Sequence, residues 1–101
     1  MPASDIQAPI TYTVWSGGRI HRGPAKKILE LIQDEARADS AVKSLSLPQY
    51  AKTLVENAEF FVPKDALKYL EARQFESEYD RALQYLAAML SGGVRILNRE
   101  P

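Results

Sequence analysis

The segment Val94-Arg95-Ile96-Leu97 reads as a β-strand, and nothing beside it in the chain can pair with it. It follows Ser91-Gly92-Gly93, a helix stop in which glycine supplies the left-handed conformation. The residues between Pro24 and that stop read as helices and connectors. A lone strand leaves its backbone groups unsatisfied. It must therefore reach the far end of the chain or pair with a second chain. The far end offers a partner. Ile10-Thr11-Tyr12-Thr13-Val14-Trp15 is rich in β-branched and aromatic residues, and Tyr12 and Val14 alternate with threonines. Ser16-Gly17-Gly18 supplies a tight turn, Arg19-Ile20-His21-Arg22 the returning strand, and Gly23-Pro24 its end. The expected fold class is α+β: three or four helices packed on a small antiparallel sheet formed by an N-terminal hairpin and a C-terminal strand. Pairing of the last strand with a second chain would instead give a dimer.

Pro24 suits the first turn of a helix. From it Ala25, Ile28, Leu29, Ile32 and Ala36 recur at helical spacing, which predicts a helix to about Ala38. Asp39 to Lys43 reads as a polar connector. Ser46 and Gln49 form a capping-box pattern ahead of the cleanest amphipathic stripe: Leu47, Tyr50, Ala51, Leu54, Val55, Ala58, Phe61 and Val62. Pro63 stops that helix and opens the next region, which runs to Leu90. Its phase wavers near Arg73-Gln74, and Ser77 with Asp80 has cap spacing, so it is one long helix or two with a break at residues 74–77.

A chain of 101 residues makes a single domain, with residues 1–9 and 98–101 expected as flexible tails. It holds no cysteine, which excludes disulfides, thiolate chemistry and cysteine-ligated metals. The first residues lack the basic start and apolar run of a signal peptide, and no stretch is apolar enough to span a bilayer. A cytoplasmic location and no membrane partner are therefore expected.

Charge is distributed unevenly. Thirteen basic and thirteen acidic residues cancel, yet no acid lies between Ile6 and Leu29. Arg19, Arg22, Lys26 and Lys27 fall there, with the single histidine, His21, among them. Lys26 and Lys27 lie in the first turn of the predicted helix, where the dipole disfavours cations. An anion on the free N–H groups would reverse that sign. The pattern suits a site for phosphate, carboxylate or an acidic surface. It also suits, and surface charge more commonly forms, a solvated basic edge that guards an exposed strand against aggregation. No phosphate-loop or dinucleotide glycine motif accompanies it. A pI near 6.6 argues against a dedicated nucleic-acid coat.

His21 is the one group suited to acid–base work near neutral pH, but no sequence-local carboxylate is placed to orient it. One histidine and no cysteine make a metal site a poor fit, and Asp34-Glu35 or Glu76, Glu78 and Asp80 read as solvated helix faces. No cofactor is implied. Trp15, ending the first strand beside the glycines, either closes a small core or anchors an interface. Tyr50, Phe60, Phe61, Tyr69, Phe75, Tyr79 and Tyr85 cannot all enter one small interior, so some should be exposed, which favours a homodimer or a partner groove. A helix–turn–helix over Gln49–Phe61 and Lys64–Arg73 fits poorly, because Asp65 and Glu71 lie among its cations.

The function these features favour is a non-enzymatic regulatory or adaptor protein. It acts through protein–protein contact, with Arg19, Arg22, Lys26, Lys27, His21 and Trp15 at a basic edge that recognises an acidic partner or anion. A nucleic-acid-binding regulator using the same edge is the alternative. A small toxin-like nuclease is the third.

Overall fold

The computed structural model describes residues 10–36 and 40–100. The expected N-terminal tail, residues 37–39 and Pro101 lie outside the described residues. The elements run β1 (Thr11–Ser16), β2 (Arg19–Pro24), α1 (Ala25–Glu35), α2 (Ser40–Ser44), α3 (Leu47–Phe61), α4 (Lys64–Ala72), α5 (Glu78–Met89) and β3 (Val94–Glu100). The fold is α+β, with a three-stranded sheet in the order β2-β1-β3 and both pairings antiparallel. The two ends of the chain meet, the first of the two pairings the sequence allows.

The hairpin closes on the pair Ser16 and Arg19 through Gly17 and Gly18, at φ 62° and 80°. Two successive positive φ angles define the two-residue turn whose twist matches the strands, and glycine reaches them without strain. Alternation along β1 then sorts the sheet into two faces. Tyr12, Val14 and Ser16 are buried. Their partners share that face: Gly23, His21 and Arg19 on β2, and Arg99, Ile96 and Val94 on β3. Against it pack Ile28, Leu29 and Ile32 of α1 with Ala82, Leu83 and Leu86 of α5. Tyr50 and Ala51 of α3 complete this core. A smaller cluster of Ala58, Val62, Leu70 and Tyr85 holds α4 to the ends of α3 and α5. Among the described residues, no helix is long and apolar enough to cross a membrane.

Local chemistry sets the helix boundaries. The Ser46 hydroxyl accepts from the Gln49 N–H while the Gln49 carboxamide accepts from the Ser46 N–H, so the capping box forms. α1 ends at Glu35, short of the expected Ala38, and the connector after it contains α2. The Gln33 side chain ties that region down, donating to the carbonyls of Val42 at 2.6 Å and Leu45 at 2.9 Å. The long helical region is two helices. Ser77 Oγ accepts from the Asp80 N–H, and the Asp80 carboxylate reaches back to the Glu76 N–H at 3.1 Å. That reciprocal cap starts α5 afresh and leaves the break where the sequence phase wavers.

Two further expectations are corrected. Asp80 does not lie on a solvated face: it is 3% exposed. Besides the Glu76 N–H, its carboxylate accepts from Gln84 Nε2 at 2.9 Å and lies 3.9 Å from Arg99 Nη2. Gln84 Nε2 and Arg99 Nε in turn both donate to the Tyr12 hydroxyl at 3.3 Å. Buried carboxylates persist where hydrogen bonds and an opposite charge replace water, and this network supplies both. Glu76 and Glu78 are exposed, as expected. The last strand also runs past Leu97. Asn98 pairs with Thr13 and Glu100 with Thr11, after a bulge opposite Thr13/Val14.

Candidate functional site

The core packs the helices on the face of the sheet that carries Tyr12, Val14, Val94 and Ile96. The opposite face carries three cross-strand rows. Ile20, Trp15 and Arg95 form the first, Arg22, Thr13 and Asn98 the second, and Pro24, Thr11 and Glu100 the third. Ile20 is 65% exposed and Leu97, at the bulge, 48%. Trp15 is half-buried, with the Arg95 guanidinium 5.9 Å from its ring. Arg22 is exposed and lies 3.9 Å from Glu100 across the sheet. An uncovered face that combines a tryptophan, aliphatic side chains and two arginines has the composition of an interface centre.

The sequence-derived site residues do not form one patch. Trp15 and Arg22 lie on the uncovered face. Arg19 and His21 fall on the helix-packed face of the edge strand β2. The His21 imidazole is tucked under the last turn of α1, its Nε2 3.5 Å from Glu35 Oε1 and without a hydrogen bond inside the protein. So His21 has a carboxylate neighbour after all, fourteen positions on in the sequence and brought back by α1. Lys26 and Lys27 occupy the first turn of α1, whose cap residue Pro24 makes no side-chain bond to it. Successive helix positions point in different directions. Lys27 packs over Gly23, while Lys26 leans to within 6.0 Å of the Tyr79 ring.

Lys26 borders a cavity of about 400 Å³ between the start of β1 and the first turns of α1 and α5, with Tyr12 and Asp80 among its walls. The Asp80 oxygens there are already held by Gln84 and the Glu76 N–H, so the network reads as structural. Among the described residues no group of three histidines, cysteines or carboxylates could hold a metal ion.

Sequence reasoning missed Ile20, Arg95 and Leu97 as members of one face with Trp15. The signal was present in the alternation of the two end strands, but the register needed to align them comes only from the folded sheet. Comparison with protein-family models, with curated proteins and with solved structures finds no match to this chain.

Proposed function

We propose that this chain is a non-enzymatic adaptor that acts through protein–protein contact, its uncovered sheet face docking an acidic partner. One observation carries the reading: Trp15 stands between Ile20 and Arg95 on a face that no described helix covers, with Arg22 in the next row. The aromatic and aliphatic groups supply desolvation energy, and the arginines select negative charge. The residues a nuclease would need, Arg19, His21, Arg22 and Lys26, are dispersed over three places, which weighs against that alternative. Nucleic-acid binding keeps one supporting feature, the Trp15 ring with a guanidinium beside it, since bases stack on such platforms.

Charge reversal tests the proposal. Proteins captured from native lysate by the wild type should be lost with Arg22→Glu/Arg95→Glu and weakened by high salt. They should be retained by Lys26→Glu/Lys27→Glu, which alters a separate surface and, at a helix N-terminus, leaves folding unharmed. Capture that survives the first double variant removes the reading. Capture abolished by nuclease treatment moves it to nucleic acid. Phe60 and Phe61, 80% and 66% exposed, support self-association as a further part of the proposal. Sedimentation at micromolar concentration should show a dimer, and a strict monomer removes that part.

A further inference from the structure

β2 and β3 are the two edges of the sheet, and β3 is open over a short stretch only. The hairpin turn closes on a hydrogen-bonded pair, so bonding alternates along β1 and Thr11, Thr13 and Trp15 turn their backbone groups toward β3. Their partners Arg95, Asn98 and Glu100 bond inward. Val94, Ile96 and Arg99 therefore face outward. Two of the outward N–H groups are already used: Val94 donates to the Leu90 carbonyl at 2.7 Å, and Arg99 to Asn98 Oδ1 at 2.9 Å. Asn98 is itself fixed by its bond to Glu100 Oε1 at 2.8 Å. The side chain of Asn98 and the bulge thus blunt the far half of the edge, as edge strands commonly require. What stays open beside α4 is the Val94 carbonyl with both backbone groups of Ile96, and past the bulge only the Arg99 carbonyl.

Beside that opening lies an apolar trough of about 380 Å³. Ala66, Tyr69 and Leu70 of α4, Ala87 and Ala88 of α5, and Ile96 line it, and no acidic side chain does. Arg95 reaches it from the uncovered face, and the Arg73 guanidinium sits 5.3 Å over the Tyr69 ring at its rim. A strand laid against Ile96 would drop alternate side chains into the trough and turn the others toward Arg95, because side chains alternate with period two. We infer that the Val94–Leu97 edge takes up an extended segment of a protein partner by strand addition, with a small apolar residue in the trough and a carboxylate facing Arg95. This inference rests on the protein-partner reading above and adds to it the binding mode and the partner's chemistry. Nucleic acid lacks the alternating N–H and C=O groups of a peptide backbone that this edge would pair with.

The test uses the full chain and a short end-capped peptide of alternating glutamate and valine. Its binding should slow amide exchange at Ile96 by about tenfold or more and alter the emission of Trp15, the sole tryptophan. The same peptide N-methylated at alternate residues should leave Ile96 exchange unchanged. Arg95→Glu should shift preference toward the lysine–valine counterpart by about fivefold, the scale of exposed charge pairs. Unchanged Ile96 exchange at the highest peptide concentration overturns the inference. Equal protection by the N-methylated peptide overturns it also. If the acidic peptide perturbs Arg22 and Trp15 but not Ile96, the uncovered-face reading stands and strand addition falls. A thymidine oligonucleotide that quenches Trp15 without slowing Ile96 exchange overturns both in favour of nucleic acid.

Discussion

Deleting residues 92–101 is expected to unfold the protein at room temperature. β1 is the central strand, and β3 supplies the whole of its second ladder, from Ser16/Val94 to Thr11/Glu100. The deletion also removes Val94, 3% exposed, and half-buried Ile96 from the core. Each lost ladder bond costs about 1 kcal/mol net, and each fully buried aliphatic side chain about 1.5–3 kcal/mol. Loss of Arg99 further strips the Asp80 carboxylate and the Tyr12 hydroxyl of a partner. The sum is comparable to the roughly 5–15 kcal/mol that stabilises a whole domain. Circular dichroism and thermal melting decide the matter: a truncated chain that melts cooperatively near the full-length midpoint would show that β3 is dispensable.

Asp80→Ala is expected to cost about 2–4 kcal/mol, the range for breaking a buried charged network by removing one partner. Two donors, the Glu76 N–H and Gln84 Nε2, and the Arg99 cation converge on the carboxylate. The change leaves them unmatched and opens the N-terminus of α5. Asp80→Asn, which keeps one acceptor oxygen, should cost less. Adding Arg99→Met to Asp80→Ala should recover part of the loss, since the stranded cation goes with its carboxylate. Urea denaturation measures all three variants. A loss below about 0.5 kcal/mol for Asp80→Ala, the level of an ordinary surface change, would mean that the network is not structural.

The architecture was legible because it followed from an obligation. A strand at Val94–Leu97 with no neighbour had to reach the N-terminal hairpin or a second chain, and the structure takes the first. Helix starts were legible where a side chain does the capping, at Ser46 and at Ser77. The role of Asp80 was not, because its helical position looks like any acid in a first turn. Its burial comes from Tyr12 and Arg99, distant residues that only the folded sheet brings near. The spatial spread of the basic residues was not legible for a related reason. Nearness in sequence became three directions in space, once strand alternation separated His21 from Arg22 and helical rotation separated Lys26 from Lys27. Arg95 was not legible as the neighbour of Trp15, since the register that sets the two opposite each other comes only from the folded sheet.

The order of strands in the sheet has a consequence for how the molecule comes into being. β1 pairs with β2 across a two-residue turn but with β3 only after the chain has passed through every helix. Each doubling of a closing loop adds about 0.6 kcal/mol of entropy, so the second pairing is the costlier and later event. During synthesis the hairpin and helices emerge first, and β1 waits with one flank open. A waiting central strand accepts any matching segment, including the β3 of another nascent copy. Crowded expression should therefore yield strand-exchanged species, and slowing translation or diluting the chain should suppress them.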